Sequence, residues 1–201
     1  MEEILGSTWL EINLDSVKKN IQNIRELIGK DIQIMGVVKG NAYGHDAVEI
    51  SKTILQSGVS QLAVTRIEEA IVLRDHNISA PILVLSLSPE KQSKLYLDYQ
   101  IMPTISDLKT AQIFNKIAAK EDKIIKIHLK VETGMGRLGV NPEEVLSVLT
   151  EIEKMANLEI EGLYTHFSTA DEADKEYTHY QFEFFAKVMN QIRENKMEIP
   201  F

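Results

Sequence analysis

Apolar runs of about four to eight residues alternate with longer amphipathic stretches along almost the whole chain, and this alternation restricts the possible folds more than any other feature. The runs at 33–38, 61–64, 81–85, 101–104, 123–130 and 158–164 are too short for helices, and most are rich in Ile, Val or Leu, which predicts six strands. Between them the spacing predicts helices over 46–56, 67–74, 89–97, 107–119, 142–155 and 177–195. Ser106 and Asn141 stand where N-caps belong, the second followed by Pro142 in the first helical position. Strands joined by one helix each run parallel. A parallel sheet is covered on both faces, which leaves a doubly wound sheet or a closed barrel. Strand starts recur every 20 to 35 residues or so, and no GxGxxG turn follows the first strand. Both features favour an α/β fold of the (β/α)8 TIM-barrel type over a dinucleotide-binding sheet.

An eight-stranded barrel takes about 250 residues, whereas this chain has 201 and the pattern of six units. The expectation is an incomplete barrel over 16–201, about six of eight βα units, belonging to a longer protein, with Glu198 to Phe201 opening a seventh strand. A natural six-stranded open sheet is the alternative. The opening "TWLEINLDSVKKNIQNIREL" stands apart from the repeat. Trp9, Glu11 and Asn13 alternate with Leu10, Ile12 and Leu14 as in a strand, and Asp15 or Ser16 is placed to cap the helix that follows. Residues 1–15 are therefore expected to form a strand that belongs elsewhere than in the barrel.

Composition narrows the chemistry. Acids outnumber bases 30 to 22, giving a net charge of -8, and the basic residues are scattered, which argues against a nucleic-acid surface. There is no cysteine, and the five histidines form no HxxxH-like pair, so no metal is expected. "MEEILGSTWLE" carries two acids where a secretory signal needs positive charge, and no apolar run approaches the roughly 18 residues of a membrane span. The expected location is the cytoplasm, with no membrane partner.

In a barrel, functional groups gather where strands end. The first strand ends in "VVKGNAYGH" (37–45). Lys39 has the parity of Met35 and Val37, and Gly40 and Gly44 keep the space beside it open. An amine held there away from bulk water is a nucleophile toward carbonyls, which is Schiff-base chemistry. For a lone lysine, a snorkelling head in solvent is the ordinary explanation, but two other strand ends shift the balance. In "KIIKIHLKVETGMGRLG" the residues Ile125, Ile127, Leu129 and Val131 form an apolar face suited to covering helices, while Lys126, His128 and Lys130 share the inward one. The loop after it delivers Arg137, whose planar fork suits an anion. In "EIEGLYTHFSTAD" His166 shares parity with Gly162 and Tyr164, again at a strand's end.

These three segments resemble the N-terminal part of the alanine racemase family. The family's VVKANAYGHG is matched by 37–46 with Gly40 for Ala and Asp46 for Gly. Its KVDTGMGRLG is matched by 130–139 with Glu132 for Asp, and its THFA-x-AD by 165–171 with Ser168 for Ala. The resemblance spans practically all of the chain. It implies a barrel that binds pyridoxal 5'-phosphate, followed by a β-rich domain, in a homodimer with shared active sites, acting on a small amino-acid substrate. Lys39 would be the aldimine lysine and one of two catalytic bases, Tyr43 would contact the cofactor phosphate, and Arg137 would serve the phenolic-oxygen side of the ring and the substrate carboxylate. His166 would support the pyridine side, and Lys130 matches a position often carbamylated. The implied activity interconverts L-alanine and D-alanine and supplies D-alanine for cell-wall peptidoglycan. The second base, a tyrosine of the partner chain, would lie beyond Phe201, so the 201 residues alone would be inactive. Rival expectations are a non-catalytic pyridoxal-phosphate-binding barrel, a racemase of serine or another amino acid, and a cofactor-free Schiff-base aldolase or structural barrel.

Overall fold

The computed structural model describes residues 8–200. Six strands, β1 (Met35–Val37), β2 (Gln61–Val64), β3 (Ile82–Val84), β4 (Met102–Ile105), β5 (Ile125–Lys130) and β6 (Leu158–Tyr164), form one sheet in sequence order. Every neighbouring pair is parallel. A doubly wound sheet reverses its strand order at a switch point; this one does not, and it is an incomplete (β/α)8 barrel with β1 and β6 at its edges. The connections carry α3 (Ala47–Gln56), α4 (Ile67–Asp75), α5 (Ser93–Asp98), α6 (Leu108–Lys120) and α7 (Val145–Glu153). The helix α1 (Leu14–Ile28) precedes β1, a short left-handed turn α2 (Lys39–Gly44) follows it, and α8 (Glu176–Glu194) follows β6. No helix among the described residues is long and apolar enough to cross a membrane.

The alternation of strand residues sorts the core into two layers. Leu62, Val64, Ile82, Val84, Ile105, Ile127 and Leu129 point outward and pack with Ile67, Leu73, Phe114, Leu149 and Ile192 of the covering helices. The intervening Ala63, Leu83 and Met102 form a separate inner cluster with Met35, Leu85 and Tyr164. Period 2 thus places one residue of each pair under a helix and the next inside the barrel. Arg74 at the end of α4 ties the loops at the opposite end of the sheet, donating from Nε to the Tyr99 carbonyl at 3.0 Å, from Nη1 to that of Ala80 at 2.8 Å and from Nη2 to that of Gln100 at 3.0 Å.

Several local expectations are corrected. Asn13, not Asp15 or Ser16, caps α1, its side chain accepting from the Ser16 amide at 3.0 Å. Asp107, not Ser106, caps α6, accepting from the Thr110 N–H at 2.7 Å. A carboxylate one position nearer reaches the free amides of the first turn. Asn141 precedes a 3-10 turn (Pro142–Glu144) and makes no capping bond through its side chain, and a second 3-10 turn (Glu90–Gln92) opens the segment of α5. Residues 8–13 form no strand, and Trp9 and Leu10 are 62% and 67% exposed; Met1 to Ser7 lie outside the described residues. Alternation alone makes no strand without a neighbouring strand to pair with. Glu198 to Pro200 likewise form no strand, although Met197 and Ile199 pack against the core; Phe201 lies outside the described residues.

Candidate active site

The C-terminal end of β1 leads directly into α2. Gly40, Asn41, Ala42 and Tyr43 all have left-handed backbone angles, with φ of 61°, 55°, 52° and 55°. Glycine adopts this region freely, but Ala42 and Tyr43 do so at about 1–2 kcal/mol each. Such conformations persist only where surrounding contacts fix them, and they gather at functional sites. Here the Asn41 side chain accepts the Ala47 N–H at 2.8 Å, and the Ala42 N–H donates to the Val38 carbonyl at 2.9 Å. Asp46, where the family motif has glycine, also has a positive φ of 70°. Its carboxylate caps α3 by accepting from Val48 and Glu49 amides, both at 3.0 Å, so the side chain compensates for the conformation its backbone must adopt. Lys39 emerges half-buried from this turn with its Nζ 5.9 Å from the centre of the exposed Tyr43 ring.

The loop after β5 is closed at its base, where Val131 bridges Val140 and the Glu132 amide donates to the Val140 carbonyl at 2.9 Å. Gly139 sits at the seam with φ of 134°, and a Cβ there would lie 2.7 Å from the Glu132 amide nitrogen. Glu132 folds back into the loop, accepting from Gly134 N–H at 2.6 Å and Arg137 N–H at 3.2 Å. Burial raises its pKa, but the amides of Gly136, Gly134 and Arg137 and the charge of Lys130 outweigh that and hold it below the ordinary value. Arg137 is exposed, and among the described residues its guanidinium has no hydrogen-bond partner.

Beneath the loop, Lys130 is 3% exposed, and its Nζ has no hydrogen-bond partner among the described residues and lies 5.7 Å from the Tyr164 ring centre. Burial lowers its pKa, Glu132 opposes and Arg137 adds to the lowering. Tyr164 donates or accepts at Thr104 Oγ1, 2.7 Å away, and burial pushes its phenol up to about 12. Lys126 shares the parity of Lys130 but stands at the other end of β5, paired with Glu161 at 2.7 Å and Glu159 at 3.4 Å, so only His128 and Lys130 line the interior as expected.

His166, at the end of β6, joins the three strand ends. Its pKa is lowered first by desolvation and then by the charges of Arg137, Lys130 and Lys39, so all four groups share one electrostatic neighbourhood. Gln181, which carries no motif signal, and Thr165, which opens the third motif, hold it there. Gln181 of α8, fully buried, donates to the His166 carbonyl at 2.9 Å and accepts from the Ser168 amide at 2.8 Å. Thr165 bridges the two loops through Thr133 Oγ1 at 2.7 Å and the Val131 carbonyl at 3.0 Å. Gln181 takes a place on the face of α8 that otherwise buries Val188 and Ile192, and only the fold shows its partners. A cleft of about 610 Å³ opens at the opposite end of the sheet, lined among others by Arg74, Tyr96, Lys126 and Glu161, and of these Arg74 is bonded to carbonyls and Lys126 and Glu161 are paired with each other.

His128 supplies a test of the buried interior. It is 4% exposed, its Nε2 has no partner among the described residues, and burial, opposed by Glu161, lowers its pKa from 6.5 to about 4. The folded state therefore takes up its proton later than the unfolded state as pH falls. Its contribution is complete above about pH 6.5 and is lost between there and about pH 4, by about 3 kcal/mol. Urea midpoints at about pH 7 and about pH 4 should show a smaller drop for His128→Gln than for the parent. Equal drops would place the His128 ring in contact with water.

Around the cluster of Lys39, Lys130, Arg137 and His166, the carboxylates of Glu132 and Glu69 are both engaged with backbone amides. Such a donor set fits an anionic ligand, and a strand-end lysine within it fits a carbonyl-bearing one. The family profile "Alanine racemase, N-terminal domain" matches residues 12–201. The chain is 39% identical over 199 residues to the alanine racemase of Halothermothrix orenii, covering 99% of this chain and 52% of that protein. It is 44% identical over 193 residues to the alanine racemase of Methanococcus maripaludis, covering 96% and 52%. The structure of alanine racemase from Clostridium difficile 630 superposes with a TM-score of 0.95 at 38% identity, covering 99% of this chain and 52% of that one. The chain spans about half the length of the curated relatives it matches. With its motifs at the C-terminal ends of β1, β5 and β6 of a parallel barrel sheet, the chain belongs to the alanine racemase family, as an N-terminal barrel domain.

Proposed function

We propose that this chain is the pyridoxal 5'-phosphate-binding half of an alanine racemase. The observation that carries the reading is that Lys39, Arg137 and His166 follow the C-terminal ends of β1, β5 and β6 of one parallel sheet whose sequence matches the alanine racemase profile over residues 12–201. When bound, pyridoxal 5'-phosphate supplies an electron sink for the charge left when an amino acid loses its α-proton. Lys39 Nζ holds the cofactor covalently and takes or returns that proton on one face of the substrate. Tyr43, exposed on the left-handed turn, binds the phosphate. Arg137 orients the cofactor's phenolic oxygen and the substrate carboxylate with its fork, and His166 supports the pyridine side. The buried, partnerless Lys130 amine suits carbamylation: a neutral Nζ attacks carbon dioxide, releases a proton and becomes an anion that holds Arg137.

Proton transfer on the second face needs a second group, which this reading assigns to a tyrosine of a partner chain in a head-to-tail homodimer. In this reading the exposed Trp9 and Leu10 would pack on the β-rich remainder of such a protein. The product would be D-alanine for peptidoglycan, made in the cytoplasm. Racemisation of L-alanine with added pyridoxal 5'-phosphate tests the reading. The complete gene product is expected to form D-alanine and the 201-residue chain is not. D-alanine from the short chain would contradict the two-sided mechanism, and none from the complete product would contradict the racemase reading.

A further inference from the structure

We propose that Glu69 is a positioning residue for Lys39, its carboxylate fixing from the neighbouring βα unit the left-handed turn on which the lysine stands. The inference rests on the reading of Lys39 as the cofactor-bearing lysine. Glu69 lies in the first turn of α4, three residues after the N-cap Arg66. Its Oε2 accepts from the amides of Thr65 at 2.8 Å and Arg66 at 3.0 Å, which closes the start of the helix in the ordinary way. Its Oε1 points out of the helix and accepts the Gly40 N–H at 2.6 Å, across 29 residues of sequence.

Gly40 is the residue next to Lys39 and the first of the four left-handed residues. Local sterics favour the right-handed alternative at Ala42 and Tyr43, so the turn needs anchors at both ends. Asn41 holds the far end through the Ala47 amide, and Glu69 holds the near end with a charge-assisted bond one peptide unit from the lysine's Cα. The two oxygens therefore do different work. One serves α4, and the other joins β1 to β2 at the point where the amine leaves the backbone.

Three N–H groups face the carboxylate, and a glutamine of the same size has only one acceptor oxygen, its amide nitrogen being a donor. Glu69→Gln must therefore release one end of the bridge. Glu68→Gln is the control: it removes the same charge from the same helix end, while among the described residues the Glu68 side chain bonds only to Gln92. In the complete gene product, two quantities are measured at equal folded fraction. They are hydrogen exchange of the amides of residues 40–44 without added cofactor, and the rate at which the imine absorbance grows after pyridoxal 5'-phosphate is added.

Glu69→Gln is expected to raise the exchange and slow the capture, each about tenfold, and Glu68→Gln to match the parent in both. Should Glu69→Gln fail to fold, Glu69→Asp, with both acceptors on a shorter arm, is expected to show an intermediate slowing. Unchanged exchange or unchanged capture in the Glu69 variant overturns the proposal, because a residue needed only to cap α4 would leave capture per folded molecule intact. An equal effect in Glu68→Gln also overturns it, in favour of helix-end charge. A parent chain that captures no pyridoxal phosphate on Lys39 overturns the cofactor reading instead, and the exchange measurement still shows whether Glu69 holds the turn.

Discussion

Lys39→Ala in the complete gene product is expected to abolish both the imine absorbance with pyridoxal 5'-phosphate and racemisation, with turnover falling by at least about 10⁴-fold. On the proposed function two losses would combine, the covalent hold on the cofactor and the proton carrier on one substrate face. No neighbouring amine can take over. Lys126 is paired with Glu161 and Glu159 at the other end of β5, and Lys130 lies buried beneath the loop against the Tyr164 ring. Folding should survive, because the lysine is half-buried and the turn is anchored through backbone amides and the side chains of Asn41 and Glu69. Retention of the absorbance in the variant would assign the Schiff base to another amine.

The second large effect is expected at Arg137. Arg137→Lys should lower kcat/KM about 100-fold while leaving the urea midpoint within about 0.5 kcal/mol of the parent. The guanidinium has no hydrogen-bond partner among the described residues, so the protein loses no contact when it is shortened. A lysine keeps the positive charge that depresses His166 and Lys130, so the electrostatics of the pocket are largely retained. What disappears is the planar fork that holds two oxygens at once. Parent-like turnover in the variant would make Arg137 a surface residue.

Much of the frame was legible in the sequence because burial follows a short period. The strands expected at 61–64 and 158–164 are β2 and β6 residue for residue, and the inner and outer clusters follow the predicted alternation. The three strand ends were legible because polar residues interrupt apolar runs there. The left-handed turn was not. Gly40 and Gly44 announce positive φ, but Ala42 and Tyr43 carry no such signal, and their conformation is imposed by distant partners. The roles of Glu69 and Gln181 were equally hidden. Each looks like an ordinary helical residue until the fold brings Gly40 to one and His166 and Thr133 to the other. The caps missed by one to three residues, Asn13 and Asp107, reflect competition among adjacent polar side chains that only local geometry decides.

The central claim is that one lysine at the end of β1 carries the cofactor. Borohydride reduction of the complete gene product loaded with pyridoxal 5'-phosphate, followed by peptide mapping, locates the pyridoxyl group directly. A single label on Lys39, in the peptide containing "VVKGNAYGH", is the expected result. A label on Lys130 or Lys126, or no label on any lysine of this chain, would contradict the account.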